Sequence, residues 1–306
     1  MQLVECIPNV SEGLRAEAID ILAERLADDP RVRLLHRHAD PDHNRTVFTM
    51  VGEPEAVLAA LGRLYAAALD AIDMRVHRGA HPRLGAVDVC PFVPLPRHGT
   101  VMADCVVLAR RLGETVAARF DLPVFLYREA ATEGHRRDLS IIRRGQFEGL
   151  ADKLAEPRWR PDFGPATPHA SGGATVIGAR GPLIAYNMVL DTDAVAIARR
   201  VAAAVRASSG GLAGIKALGV MLASRGLAQV SMNIEDPQAT PLEVASDAVE
   251  RAAAACGVRV RETELVGLIS RAAATPGALR WLSRGDFTEA LILENAIEAS
   301  GIASAR

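Results

Sequence analysis

The hydrophobic and polar positions of the first ninety residues predict six elements of secondary structure. Residues 2–7 are apolar and β-branched, which is typical of a short strand. Residues 14–28 have apolar side chains three and four positions apart, as on one face of a helix, and Ser11 is a candidate N-cap for it. The remaining pattern indicates two strands, a helix and a last strand, so the order is β-α-β-β-α-β. These four elements are predicted at residues 31–38, 45–52, 54–73 and 85–93.

The C-terminal half of the chain repeats this order. Residues 182–190 (PLIAYNMVL) are typical of a strand, and Asp193 is a candidate N-cap for a helix that runs to about residue 206. Two further strands, an alanine-rich helix that starts at Pro241 and a closing strand follow. The strands are predicted at residues 215–222, 227–235 and 258–267, and the helix at residues 241–255.

Two units with the same order of elements indicate a duplicated α+β fold. We therefore expect two ferredoxin-like β-α-β-β-α-β subdomains with a cleft between them, an N-terminal one at residues 1–180 and a C-terminal one at residues 181–306. Residues 102–120 predict an extra helix and residues 123–127 an extra strand. Residues 159–178 are rich in Pro, Gly, Ser and Thr, and are either an interdomain linker or a loop that lines a ligand.

Composition narrows the class of protein. Of the 306 residues, 49% are hydrophobic and 24% charged, as in an ordinary globular protein. The formal net charge of -2 argues against a protein that coats nucleic acid, because such a protein needs a basic excess. The apolar runs are too short for a membrane span, and the start of the chain does not resemble a signal peptide. We therefore expect a cytoplasmic protein.

The segment HRGAHPRLGAVDVCPF, residues 77–92, concentrates residues that are able to do chemistry. His81 precedes a proline and lies among glycines, so it is expected in a loop rather than a helix. Arg78 and Arg83 flank it and are suited to hold a dicarboxylate. Spacing alone leaves two interpretations open, an ordinary histidine on a surface loop or a group that transfers protons near neutral pH.

The segment HRHADPDHNR, residues 36–45, contains several possible metal ligands and also suits a solvated hairpin turn. No HExxH or CxxC element supports a metal, so no metal site is predicted. The chain also lacks the GxxxxGK[ST] loop of nucleotide-binding proteins, the GxGxxG fingerprint of dinucleotide binding and the GxSxG elbow of hydrolases.

Several strings of the sequence together resemble glutamate formimidoyltransferases, the domain that in animals is fused to a cyclodeaminase. The similarity runs from the first predicted strand to about residue 267, and each subdomain of that family is a ferredoxin-like unit. The strings are ECIPNVSEG (5–13), NRTVFTMVG (44–52), IDMRVHRGAHPRLGAVDVCPFVPL (72–95), PVFLYREAA (123–131), WRPDFGP (159–165), GATVIGAR (173–180) and LAQVSMNIED (227–236).

The resemblance implies transfer of a formimidoyl group between N-formimidoyl-L-glutamate and tetrahydrofolate, a step of histidine degradation. Tetrahydrofolate is the co-substrate, and neither a metal nor ATP is required. His81 matches the family's catalytic histidine, with Asp40, Asn44, Arg45 and Arg83 as expected substrate-binding residues. In that chemistry one imidazole moves the proton, the arginines bind carboxylates, and a carboxylate such as Asp40 stabilises the amidinium carbon.

The resemblance also implies a folate-binding loop. In this chain the loop carries no aromatic side chains, unlike the loop of animal members, so it would contact the pterin differently. Its residues are Gly164, Pro165, Ala166, Thr167, Pro168, His169, Ala170, Ser171, Gly172 and Gly173.

Two other functions compete with the transferase. One is ATP-dependent cyclisation of 5-formyltetrahydrofolate on the same scaffold, and the other is a folate-binding module without catalysis. We expect a homodimer from the frequency of that state, and no cyclodeaminase domain within residues 268–306, since the segment is too short. A separate cyclodeaminase is a possible partner. No nucleic-acid or membrane partner is expected.

Overall fold

The protein consists of two compact units, as seen in a computed structural model that describes residues 2–304. The first unit comprises Met1–Arg180 with Ser300–Arg306, and the second comprises Gly181–Ala299. Each unit contains one sheet with helices packed on it, so the predicted α+β class is confirmed. Within residues 2–304, no helix combines the length and apolar character that crossing a bilayer demands.

The first unit is built on a seven-stranded sheet. Strands β1 and β2 follow one another along the same path between β4 and β5, and β3 pairs with the outer edge of β4. These pairs are antiparallel, whereas β7 lies parallel to both β5 and β6. The strands are β1 (Val4–Cys6), β2 (Asn9–Val10), β3 (Val32–Asp40), β4 (Arg45–Gly52), β5 (Val87–Pro94), β6 (Val124–Arg128) and β7 (Thr175–Ala179).

Five helices belong to the first unit within the described residues. Three long ones bury apolar side chains in the core that they share with the sheet. Two short ones follow β6 and pack with Trp159 in a smaller apolar cluster. The helices are α1 (Ala16–Ala27), α2 (Pro54–Ala71), α3 (Met102–Phe120), α4 (Leu139–Ile142) and α5 (Leu150–Ala155).

The predicted N-cap of α1 is wrong. The N-cap position is Arg15, which makes no side-chain capping bond. Glu12 stabilises the turn before the helix, because its Oε1 accepts hydrogen bonds from Leu14 N and Arg15 N, both at 2.9 Å. Ser11 Oγ instead donates to Gly85 O at 2.8 Å. A hydroxyl competes for any nearby carbonyl, and here a distant segment supplies one.

The linker interpretation of residues 159–178 is wrong at its C-terminal end. Thr175–Ala179 forms β7, a fully buried strand between β5 and β6. A strand covered on both faces has no alternation of apolar and polar residues. Its short apolar run is therefore difficult to recognise as a strand next to a glycine-rich stretch.

The second unit has a four-stranded antiparallel sheet in the order β11-β8-β10-β9. Its first six elements follow the predicted order β-α-β-β-α-β, and two more helices come after them. The strands are β8 (Ile184–Leu190), β9 (Ile215–Leu222), β10 (Leu227–Ile234) and β11 (Val260–Val266), and the helices are α6 (Val195–Val205), α7 (Leu242–Ala254), α8 (Pro276–Leu282) and α9 (Leu293–Ala299).

The predicted cap of α6 is also wrong. The N-cap position is Ala194, which has no side chain able to bond the helix, so the helix begins later than the motif suggested. Thr192 Oγ1, one residue before Asp193, accepts a hydrogen bond from Ala194 N at 3.1 Å. The turn before the helix is therefore stabilised by a hydroxyl instead of the carboxylate.

Gly219 in β9 allows α6 to pack directly on the strand. A Cβ at this position would lie 2.2 Å from Arg199 N and 2.4 Å from the carbonyl carbon of Ala198. Real Cβ atoms do not approach backbone atoms this closely, so any larger residue would push the helix off the sheet.

We expect Gly219→Ala to lower the free energy of unfolding by roughly 1–3 kcal/mol, the usual cost of overpacking. Chemical denaturation followed by circular dichroism measures this. Gly134→Ala is the matched control, because a Cβ at Gly134 meets no atom within 4 Å. Equal midpoints for the two variants would contradict the close packing.

Candidate active site

Two segments that lie more than thirty residues apart meet at one end of the first sheet. The turn between β3 and β4 contacts the loop before His81 through three hydrogen bonds. Ala80 N donates to Asp42 O at 3.0 Å. Asn44 Nδ2 donates to Arg78 O at 2.7 Å. The two histidine-rich clusters of the sequence therefore form one site.

Asn44 shapes the turn that makes this contact. Its φ of 47° lies in the left-handed region, which Asn tolerates better than most residues. Its Oδ1 accepts a hydrogen bond from Gly13 N at 2.9 Å, so the same side chain also reaches the segment before α1. Its backbone carbonyl accepts a hydrogen bond from His77 Nε2 at 2.9 Å. Asn44 thus joins three segments, which is a structural reason for its place in the motif.

His81 is half-buried next to Arg45, the first residue of β4. Its Nδ1 lies 2.7 Å from Pro82 O, and since a carbonyl only accepts, Nδ1 carries the proton of the neutral ring. The lone pair is then on Nε2, which faces Nη1 of Arg45. The same Nη1 lies 2.6 Å from Nδ1, so the guanidinium covers this edge of the ring.

The surroundings of His81 disfavour its protonated form. Burial lowers the pKa of His81 well below its usual range, and the positive charges of Arg45 and Arg143 and the neighbouring His43 lower it further. Burial, with the nearby Arg143 guanidinium, lowers the pKa of Arg45 to about 9. Arg45 is held by Asn9, whose Oδ1 accepts from its Nε at 3.1 Å and from Nη2. His81 is therefore a neutral base beside a half-buried cation.

Asp40 and His43 complete the same turn. Asp40 Oδ1 accepts a hydrogen bond from His43 N at 2.8 Å, and Oδ2 lies 4.0 Å from His43 Nε2. The rings of His43 and His81 have centroids 5.8 Å apart with an interplanar angle of 36°. Asp40 also lies directly across the β3–β4 ladder from Arg45. The structure thus brings Asp40, Asn44, Arg45 and His81 together, as the sequence predicted.

Arg83 is placed differently from those four residues. Its guanidinium is buried and forms a two-pronged ion pair with Glu148, with N–O distances of 2.7 and 2.8 Å. Its Nε donates to His77 Nδ1 at 3.1 Å, and Nη1 also donates to Gln146 Oε1 at 3.2 Å. Hydrogen bonding to Arg83 lowers the pKa of Glu148 to about 2. A substrate carboxylate would have to displace Glu148 to bind Arg83.

The predicted folate loop, residues 164–173, runs along the segment that follows Arg83. Ala86 N donates to Gly172 O at 3.0 Å, and Ala174 N donates to Leu84 O at 3.2 Å. Within the loop, His169 and Gly173 exchange two backbone hydrogen bonds of 2.9 Å, and His169 Nδ1 accepts from Gly172 N at 2.8 Å. The end of the loop is therefore an ordered turn rather than an open chain.

A cavity of about 330 Å³ opens beside this loop. Its volume is at the lower end of small-molecule sites, and its lining combines apolar surface with two arginines and a carboxylate. The lining contains three of the predicted folate-binding residues, whereas His81 is not part of it. The lining residues are Met74, Arg75, Arg78, Phe147, Glu148, Ala151, Pro168, His169 and Ala170.

Comparison with known proteins gives the family. A family model for the "Formiminotransferase domain, N-terminal subdomain" matches residues 3–180, and one for the "Formiminotransferase domain" matches residues 185–302. The chain belongs to the formiminotransferase family. The resemblance found in the sequence is thereby confirmed.

Members of the formiminotransferase family from distant organisms are similar to this chain. A protein named glutamate formimidoyltransferase from Streptococcus pyogenes is 41% identical, over 96% of this chain and 98% of that protein. Another of that name from Thermoplasma acidophilum is 42% identical, over 97% of this chain and 98% of its own length. The rat formimidoyltransferase-cyclodeaminase is 40% identical over 88% of this chain, which matches 50% of that protein.

Sequence reasoning missed several residues of the site in this formiminotransferase. Glu148, Gln146 and His77 are the partners of Arg83, and Asp88 pairs with Arg143. The one sequence feature that could have indicated these contacts is Asp88, a carboxylate in the otherwise apolar strand VDVCPFV. A buried acid in such a strand indicates a specific partner, but not which one.

We expect Gly79→Ala to separate the two segments of the site, because its Cβ would lie 2.3 Å from His43 O. The amide of Ala80, which donates to Asp42 O, should then exchange with solvent at least ~10-fold faster. Hydrogen exchange measured by NMR tests this, with Gly134→Ala as the control. Unchanged protection of Ala80 would disprove the close contact.

Proposed function

We propose that this protein transfers a formimidoyl group between N-formimidoyl-L-glutamate and tetrahydrofolate. The observation that carries the proposal is the neutral, half-buried His81 with its Nε2 lone pair against Arg45. Proton transfer at an amidine needs such a base, and an amino-acid substrate needs a cation nearby. The near full-length similarity to two proteins named glutamate formimidoyltransferase supports the same reaction.

The transfer needs one proton to change place. When the secondary amine of tetrahydrofolate attacks the formimidoyl carbon, a carbon–nitrogen bond forms and the amine must lose its proton. As the bond to the glutamate nitrogen breaks, that nitrogen must gain a proton. His81 takes the first proton at Nε2 and returns one to the leaving nitrogen, a role worth ~10²–10⁴-fold in rate. Its Nδ1 keeps the hydrogen bond to Pro82 O throughout, so the ring stays oriented.

Arg45 links substrate binding to this step. Its Nη1 lies against Nε2 of His81, the same atom that must accept the proton. A substrate carboxylate attracts the guanidinium more strongly than a neutral imidazole does, because the bond is charge-assisted. Binding of glutamate or its formimidoyl derivative at Arg45 would thus expose Nε2. It would also bring a negative charge that raises the proton affinity of His81.

Asp40 and Asn44 have supporting roles in the proposal. Asp40 lies across the strand from Arg45 and offers a carboxylate to the positive charge of the amidinium carbon. Asn44 fixes the turn that carries both. We assign to Arg83 the role of orienting the loop that carries His81, through its bonds to Glu148 and His77. The alternative is that Arg83 contacts the substrate directly.

Folate is proposed to bind at the loop of residues 164–173 and the cavity beside it. The exposed Arg78 lies in this lining and would attract the carboxylates of the glutamyl tail. Phe147 supplies the aromatic surface that the loop itself lacks, and thus a face for the pterin or the benzoyl ring.

The proposal also covers the cellular role of the protein. It includes a place in histidine degradation, a cytoplasmic location, a homodimer and a separate cyclodeaminase partner.

We expect His81→Asn to fold normally and to lose at least ~10²-fold in turnover, because the variant has no base. The assay uses purified protein with tetrahydrofolate and formimidoylglutamate, with and without ATP. The control is His98→Asn, a histidine in the short turn after β5. Near-normal turnover of a folded His81→Asn variant would remove His81 from the mechanism. ATP-dependent conversion of 5-formyltetrahydrofolate without formimidoyl transfer would favour the cyclisation reaction instead.

We expect the acid limb of the kcat/KM profile to lie below pH 6.5, the ordinary histidine value. The pKa of His81 is lowered mainly by burial, so the neutral and active form persists as the pH falls and is lost only below the lowered pKa. Initial rates between pH 4.5 and pH 8 would locate the limb. An acid limb above pH 6.5 would contradict a base depressed by its surroundings.

A further inference from the structure

A buried ion pair supports the segment that carries His81. Asp88 of β5 has a side chain only 2% exposed, and its Oδ2 pairs with Nη2 of Arg143. Its Oδ1 accepts a hydrogen bond from Leu84 N at 2.8 Å. Leu84 comes two residues after Pro82, whose carbonyl holds the imidazole of His81. One carboxylate thus fixes both the backbone after His81 and a guanidinium.

Arg143 comes directly after α4 and is held in place from both sides. Its backbone N donates to Leu139 O at 2.9 Å, and its carbonyl accepts from Gln146 N at 2.8 Å. Lys153 Nζ bonds the carbonyl of Ile142, which immediately precedes it. These contacts hold the backbone of Arg143 in one position, so its positive charge lies at a fixed point in the fold.

The charge of Arg143 acts on the proton-transfer group. The Arg143 guanidinium contributes to lowering the pKa of His81, after burial and Arg45, and also that of Arg45. Its Nε is buried and has no hydrogen-bond partner among the described residues. A buried donor left without a partner costs stability.

Two arginines and two carboxylates lie around His81 and Arg45. The cations are Arg45 on β4 and Arg143 after α4, and His43 of the β3–β4 turn lies beside the ring. The carboxylates are Asp88 on β5 and Asp40 at the end of β3, which already bonds the backbone of its own turn. Tyr127 of β6 adds no charge, since burial raises the pKa of its hydroxyl.

We propose that Asp88 and Arg143 are a positioning pair for His81: Asp88 orders the backbone behind the imidazole, and Arg143 places a positive charge near it. This pair keeps the imidazole in its neutral, proton-accepting form until a carboxylate of the substrate arrives. The inference rests on the proposed function for its catalytic meaning. The charge effect itself is a property of the protein without substrate and is measurable there.

The two halves of the pair should act in opposite directions. Arg143→Met removes positive charge, so His81 should bind its proton more readily, and its titration midpoint should rise by roughly 0.5–1 pH unit. Asp88→Asn keeps an oxygen for Leu84 N but leaves Arg143 without a counter-charge, so the midpoint should stay or fall. Arg143→Lys keeps the charge and should leave the midpoint within about 0.3 pH unit of the original.

The experiment follows the imidazole signals of the substrate-free protein by NMR as the pH changes. The His81 signal is identified by its absence from His81→Asn. Arg110→Met, which removes an exposed arginine of α3, controls for the loss of one positive charge. If Arg143→Met does not fold, the titration midpoint of His81 is measured in Arg143→Gln and interpreted in the same way.

A rise of the midpoint in Arg143→Met without a rise in Asp88→Asn supports the proposal. A rise of the midpoint in both variants, or in neither, overturns the proposal. A pair that only stabilised the fold would not move the midpoint in a direction set by the charge that is removed. The acid limb of kcat/KM should move with the midpoint. If the midpoint moves and the limb does not, the positioning pair stands, and His81 is not the base of the proposed reaction.

Discussion

Asn44 is the constraint on which the rest of the site depends. Its backbone takes the left-handed conformation that closes the β3–β4 turn, and its side chain reaches Gly13 on one side and Arg78 on the other. His77 bonds its carbonyl, so the loop before His81 lies against this turn. Without that junction, Arg45 at the start of β4 and His81 would not face each other. One amide side chain and one unusual backbone angle therefore bring the base to its cation.

The site holds two arginine charges, Arg45 and Arg143, close to the half-buried imidazole of His81. Moving an ion out of water costs several kcal/mol unless partners compensate it. Here Arg45 has the amide of Asn9 and Nε2 of the His81 imidazole as hydrogen-bond partners, and neither is an anion. In the proposed function a carboxylate of the substrate would become the anionic partner of Arg45. The lack of an anionic partner that makes this position costly for the fold would then also favour the binding of an anion, as is common where function costs stability.

Arg83 illustrates why a residue type in a recognised motif does not define its role. Next to a histidine proposed to be catalytic, an arginine suggests a binding partner for a carboxylate of the substrate. The chain itself provides that carboxylate, because Glu148 lies 65 positions later and folds back onto Arg83. The segment of residues 143–148 also bonds the backbone of Arg83 through Phe147 N. A loop with no obvious motif therefore orders the loop that has one.

The sequence by itself determined the β-α-β-β-α-β order that opens each unit, the α+β class and the family, because these depend on local periodicity and on contiguous motifs. It also indicated His81, Arg45, Asn44 and Asp40 as candidate site residues, since each lies in a recognisable string. Only the tertiary structure decided which groups satisfy them. Ser11 and Asp193 do not cap their helices, β7 lies in the middle of a sheet, and Asp88 pairs with Arg143 at a separation of 55 residues. Pairing of buried polar groups depends on distances between distant segments, and no local pattern in the chain encodes those distances.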